Sequence, residues 1–217
     1  MNPNDSRNPA ILLLGPTGSG KTPLGELIAR RGLWHARCMH FDFGAQLRSI
    51  VARNEPNRDV NREDIAFLRR VLHSGALLED EHFPLAERIL RSFLARCGAD
   101  AATTVVLNGL PRHVGQAEAV ASIVDVRTLV QLRCSAETVR RRIRSNVGGD
   151  RGGRHDDDLE SIRRKLDLFA ERTEPLAAHY RDRGAAIATV DVTATMTPHD
   201  VWLTLERKGA GRAYGRR

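Results

Sequence analysis

The chain has 217 residues, 41% of them hydrophobic, with 34 Lys and Arg against 27 Asp and Glu and a formal net charge of +7. That length and apolar content suffice to bury a core as one domain and exclude a disordered chain. No apolar run approaches the roughly 20 residues of a membrane span, and the opening MNPNDSRNPA carries no apolar leader, so a cytoplasmic location without a membrane partner is expected. Cys38, Cys97 and Cys134 are odd in number and far apart, with no CxxC pair, and read as reduced thiols rather than a disulfide framework or a zinc site. Part of the basic charge sits in the final RKGAGRAYGRR, which reads as a flexible tail, and part in VRRRIRSNVGGDRGGR, where a polyanionic small molecule explains it as well as RNA. No dedicated nucleic-acid partner is expected from charge of this size.

In chain order, a first strand is expected at AILLLG (10–15), followed at once by GPTGSGKT and then a helix. This is full GxxxxGK[ST] spacing between a strand and a helix, far more specific than a glycine turn. Pro16, Thr17 and Ser19 complete the loop around Gly15, Gly18 and Gly20, whose freedom lets several NH groups turn toward one point, and the helix adds the positive end of its dipole. Lys21 supplies a cation for terminal phosphates and Thr22 a hydroxyl for magnesium, so an ATP or GTP donor is expected. LGELIARRG continues as a helix to Gly32, and RCMHFD (37–42) reads as the second strand. A helical excursion follows, in which REDIAFLRRVLHSG and EHFPLAERILRSFLARCG each stop at a glycine. TTVVLNG (103–109), VRTLVQLRC (126–134) and AAIATVDV (185–192) are the remaining strands, with a glycine-rich arm over 146–154. Strands interleaved with helices give an α/β fold with a parallel sheet covered on both faces.

Three further stretches fall into the same order: FDFGAQLRSI after the second strand, LNGLPRHVGQA after the third, and GGRHDDDLESIRRKL before a long helix. With the loop, this set resembles the adenylate kinase family of nucleoside monophosphate kinases over nearly the whole chain, from Ala10 to about Leu205. SGALLEDE, which contains Leu78, is similar to the family's turn over the monophosphate base, and ERTEPLAAHYRDRG to its last long helix. The resemblance implies a P-loop NTPase fold, three-layer α/β/α with a five-stranded parallel sheet, plus a helical monophosphate-binding arm and a short lid. It implies a single monomeric domain over 1–217, with a core at about 10–42, 100–145 and 158–208, the arm at about 43–97, the lid at about 146–157 and the tail at 209–217.

Arg48 and Arg112 follow the second and third strands, so both can reach the crevice beyond the carboxyl ends of the sheet, where two forked guanidinium groups suit a monophosphate dianion. By resemblance, Gln116 contacts the acceptor base, and Phe43, Leu78 and Gly109 complete the acceptor pocket. Arg142 faces the donor base, and Arg154 with Lys165 enters from the lid side, which Gly148, Gly149, Gly152 and Gly153 leave free to move. Asp157 and Glu160 suit a helix cap and Asp156 a tie to the closed lid, which is too short and too poor in Cys to carry zinc.

The chain also departs from the family pattern. Asn108 stands where an aspartate near the magnesium waters is usual, Asn146 and Lys165 where arginines are, and Thr22 and Pro23 where glycine follows the lysine. Arg144, Arg151, Arg163 and Arg164 are candidates to compensate. The implied reaction is transfer of the terminal phosphoryl group of ATP, with Mg2+, to a nucleoside monophosphate. AMP leads by family frequency, and Phe43 and Ala45 leave CMP, UMP, dCMP and GMP open. Two other readings fit the same residues: a P-loop kinase of another small metabolite, and a weakly catalytic ATP-binding regulator.

Overall fold

The apolar run at the start of the chain becomes a strand buried on both sides. In the computed structural model, which describes residues 7–76, 78–100, 102–149 and 159–209, β1 (Asn8–Leu14) lies at the centre of a five-stranded sheet. It is flanked by β2 (Cys38–Asp42), β3 (Thr104–Asn108), β4 (Val124–Arg133) and β5 (Ala186–Asp191) in the order β2-β3-β1-β4-β5, every pairing parallel. Successive side chains of a strand point to opposite faces. Ala10, Leu12 and Leu14 therefore join Val105, Leu107 and Leu129 in one core, while Ile11 and Leu13 join Val106, Val130 and Leu132 in another. A central strand of this kind has to be apolar throughout, which is why AILLL shows no polar alternation.

Helices close both faces. α1 (Lys21–Arg31) and α9 (Pro198–Gly209) cover one with Leu24, Ile28, Val201 and Leu205. The other takes α2 (Phe43–Arg53), α3 (Arg62–Ser74), α4 (Phe83–Arg96), α5 (Val114–Val120) and α8 (Leu176–Asp182), with inward residues at three- and four-residue spacing such as Phe43, Leu47 and Ile50, or Ile65, Leu68 and Val71. α3 begins in a reciprocal cap, Asn61 accepting from the Asp64 NH at 2.8 Å and Asp64 from the Asn61 NH at 3.0 Å, and ends at left-handed Gly75. α6 (Ala136–Ser145) follows β4, and α7 (Leu159–Leu168) runs into a π-helical turn, Phe169–Thr173. Among the described residues no helix is long and apolar enough to cross a membrane. Arg154, Asp156 and Asp157, with most of the expected lid and the tail beyond Gly209, lie outside the described residues.

Register places the site. Asn108 pairs with Leu13 on one side and Asp42 on the other, so β1, β2 and β3 end side by side and the segments following them emerge at one edge. This is the edge at which ligands bind in open parallel sheets.

His40, in the middle of β2, faces the backbone of α1, where a Cβ at Gly25 would collide with its imidazole. Its Nε2 is buried without a partner, and burial holds the ring's pKa below its ordinary value. The unfolded chain therefore takes up a proton that the folded ring refuses, so stability is full above about pH 6.5 and falls as the pH drops through it. Urea unfolding should show a lower midpoint at pH 5 than at pH 7.5, and His40→Leu should narrow the difference.

Candidate active site

The three glycines of the loop do different work. Gly18 and Gly20 have φ of 74° and 96°, a left-handed region that side chains rarely adopt. Gly15 has no such φ; a Cβ there would lie 2.8 Å from both the Leu132 carbonyl and the Ser19 hydroxyl, so it lets the loop pack against the end of β4. Gly20 is also the N-cap of α1, and no side chain caps that helix. Its first NH groups are thereby left for a ligand, the arrangement that attracts phosphate. Lys21 folds back over the loop, its Nζ donating to the carbonyls of Gly15 at 2.6 Å and Pro16 at 2.8 Å.

A cleft of about 240 Å3 opens above this loop. Of the residues expected at the site, it brings together Gly15, Thr17, Gly18, Gly20, Lys21, Thr22, Phe43, Arg48, Leu78, Asn108, Gly109, Arg112, Gln116 and Lys165. Pro16, Ser19 and Arg142 are not in its lining. Leu47, Val71, Leu72, Phe169 and Thr173 are among the further wall residues, which sequence reasoning did not single out because they sit on helical segments without a motif.

Arg48 and Arg112 enter no ion pair among the described residues. Arg112 is half-buried, and desolvation alone pulls its pKa down to about 10, so it stays charged at neutral pH without a carboxylate to balance it. Its backbone is fixed by Gln116, whose Oε1 accepts from the Arg112 NH at 2.8 Å and whose Nε2 donates to the Leu78 carbonyl at 2.7 Å. The Leu78 carbonyl also meets His113 Nε2 at 3.2 Å, which ties the turn before α4 to α5. Gln116 thus spends its amide on shaping the pocket, a use the resemblance does not suggest. On α2, Arg48 is exposed and lies back across Gly44, where a Cβ would come within 3.2 Å of its Nη1.

Beside the loop, two polar side chains from neighbouring strand ends meet a third from the first turn of α1. The Thr22 hydroxyl donates to Asp42 Oδ2 at 2.6 Å, Asn108 Nδ2 donates to the same oxygen at 2.8 Å, and Asn108 Nδ2 lies 3.0 Å from Thr22 Oγ1. Asp42 Oδ1 accepts from the Ala45 NH at 2.8 Å and caps α2. Asp42 is the one acidic side chain among the described residues lining the cleft. Sequence reasoning missed it, although an aspartate closing a strand and opening a helix was there to be read.

Arg142, expected to face the donor base, lies behind the glycine loop and outside the cleft lining. It is buried at 3% exposure, with Nε donating to the Gly18 carbonyl at 3.1 Å and Nη1 to the carbonyls of Thr193 at 2.8 Å and Met196 at 2.7 Å. Its guanidinium braces the glycine turn against the segment after β5.

Comparison with known proteins agrees with this geometry. The AAA domain family matches residues 11–163. A protein named adenylate kinase from Xanthomonas campestris pv. campestris (strain 8004) is 33% identical over 213 residues, covering 95% of this chain and 99% of the relative. Another of that name, from Thermus thermophilus, is 30% identical over 181 residues, covering 81% of this chain and 84% of the relative. The chain belongs to the adenylate kinase family.

Two of its departures from the adenylate kinase pattern acquire local reasons. Asn146 caps α6 with a φ of 47°, a left-handed position that asparagine tolerates far better than arginine. Phe43 is 5% exposed and packs on Phe41 at 6.0 Å between ring centroids, so its ring fills the wall of the pocket.

Gly15 and Arg112 respond oppositely to substitution. Gly15→Ala forces the loop off Leu132 and should destabilise the ligand-free protein by about 1–3 kcal/mol. Arg112→Met removes a desolvated charge at similar volume, so its thermal midpoint should equal or exceed that of the parent. Parallel thermal melts check both.

Proposed function

We propose that this chain transfers the terminal phosphoryl group of ATP to the phosphate of a nucleoside monophosphate, AMP foremost, and yields two diphosphates. The observation that carries the reading is one cleft lined by a phosphate loop, Lys21 and two guanidinium groups that enter no ion pair among the described residues. An oxygen of the acceptor phosphate, already anionic near neutral pH, would bond to the terminal phosphorus. The bond from that phosphorus to the bridging oxygen would break, its electron pair leaving on the diphosphate. No general base is needed.

Catalysis of this kind is positioning and charge stabilisation. The loop NH groups and Lys21 would hold the donor phosphates. Arg48 and Arg112 would grip the acceptor phosphate in a forked geometry that lysine cannot reproduce. Lys165, with Arg154, would approach from the lid side and exclude water as a competing acceptor. Arg142 would act on the donor end through the Gly18 carbonyl. Phe43, Leu78, Gly109 and Gln116 would form the acceptor pocket.

The Thr22 hydroxyl and Asp42 carboxylate make an oxygen donor pair of the kind that suits Mg2+, with the Asn108 amide nitrogen hydrogen-bonded to both. Thr22 would hold the ion and Asn108 would act through water. When bound, the ion neutralises charge on the donor phosphates. A cytoplasmic monomer is part of the same proposal.

With ATP and Mg2+, a panel of monophosphates should give diphosphate from at least one member. Lys21→Ala should lower that turnover by about 100-fold or more, and Arg48→Ala should raise the KM for the monophosphate more than it lowers kcat. Turnover of no monophosphate, or full turnover in Lys21→Ala, would sink the reading.

A further inference from the structure

Neighbouring strand ends, Asp42 on β2 and Asn108 on β3, are partners in register and both reach the Thr22 hydroxyl. Of the two, only Asp42 carries charge. We infer that Asp42 supplies the negative charge that holds the divalent cation of the nucleotide at the loop, with Asn108 and Thr22 as its neutral aids; this rests on the phosphoryl-transfer reading above.

Helix capping does not exhaust the Asp42 carboxylate. Oδ1 serves the Ala45 NH, but Oδ2 is aimed at Thr22 and Asn108, away from the helix and into the cleft. The residue is 8% exposed and enters no ion pair among the described residues, where its donors are an NH, a hydroxyl and an amide. A carboxylate so far withdrawn from water is costly without a cation, and a capping role alone would be met as well by neutral asparagine or serine. Water bound to a dication donates more strongly to a carboxylate than to a neutral amide. The charge therefore sits one strand over from Asn108, in the same plane of strand ends and against the same hydroxyl.

The test uses the full chain, ATP and Mn2+, with free Mn2+ followed by electron paramagnetic resonance and ATP binding followed by calorimetry with and without EDTA. Asp42→Asn keeps the helix cap and removes the charge. It should weaken Mn2+ binding in the ATP complex by about 10- to 100-fold, while binding of metal-free ATP stays equal or tightens because a negative charge near the phosphates is gone. Carrying the charge back across the strand pair, in D42N combined with N108D, should recover most of the lost Mn2+ affinity. Asp42→Ser, also a competent cap, repeats the measurement should D42N fold poorly.

Mn2+ affinity unchanged in both D42N and Asp42→Ser overturns the inference. So does a loss shared equally by metal-free ATP and left unrestored by N108D, which marks a purely structural role. An unsubstituted chain that binds neither ATP nor Mn2+ with ATP overturns the phosphoryl-transfer reading as well.

Discussion

The cleft depends on cations held at and behind its glycine loop before any anion arrives, and backbone carbonyl oxygens orient two of them. Lys21 rests on the carbonyls of Gly15 and Pro16, and Arg142 on those of Gly18, Thr193 and Met196. Elsewhere on the molecule, arginines pair with acids in the ordinary way, as Arg88 does with Asp64 and Arg133 with Asp191. The difference matters for a phosphate site. A carbonyl dipole orients a cation without cancelling its charge, so an incoming phosphate meets the field nearly undiminished. A carboxylate would have to be displaced first, at the cost of a charge-assisted hydrogen bond. Arg112 shows the energetic side of the same constraint, its lowered pKa recording desolvation that no protein group offsets.

Such an arrangement needs a rigid frame, because like charges gathered near one another push a soft structure apart. Much of the rigidity comes from β1, apolar on both faces and hydrogen-bonded on both edges, which delivers Gly15 against the end of β4. The helical arm shares that frame. Phe43 on α2 and Phe93 on α4 both pack against Phe41 of β2, and Leu68 of α3 joins the same core. Glu79 and Arg172, 2.9 Å apart, link the turn before α4 to the π-helical segment that carries Phe169 and Thr173 into the cleft wall. Arg48 therefore reaches the cleft from an element seated in the core.

What the sequence made legible is what local rules decide. The loop was readable because strand, glycine spacing, lysine and helix are contiguous, and the strands because apolar runs alternate with helical periodicity. Arg48 and Arg112 were readable because each follows a strand by a fixed short distance. Asp42 was not, and neither was the use Gln116 makes of its amide, since their partners Thr22 and Leu78 lie 20 and 38 residues away along the chain. The meeting of Asp42 with Asn108 depends on strand order, which no local pattern encodes. The bonds of Arg142 were hidden for a related reason: a basic residue on an amphipathic helix can turn many ways, and its contacts to Thr193 and Met196 depend on the distant segment after β5.

The same distribution of polar groups bears on the acceptor. Phe43, Leu47, Val71, Leu72 and Leu78 give the cleft that holds Arg48 and Arg112 much of its apolar lining, and the amide of Gln116 is already engaged at both its oxygen and its nitrogen. A pocket that places a dedicated donor or acceptor against a base rejects the wrong base strongly, because the protein group is then left unpaired; an apolar pocket discriminates only by size and shape. Thr173 adds a buried hydroxyl to the lining, one that finds no hydrogen-bond partner among the described residues. Affinity at this end would then come mainly from the phosphate and its two guanidinium groups. Selection among bases would fall to ring size between Phe43 and Leu78, sharpened by whatever edge can satisfy Thr173 and the second lone pair of the Gln116 oxygen.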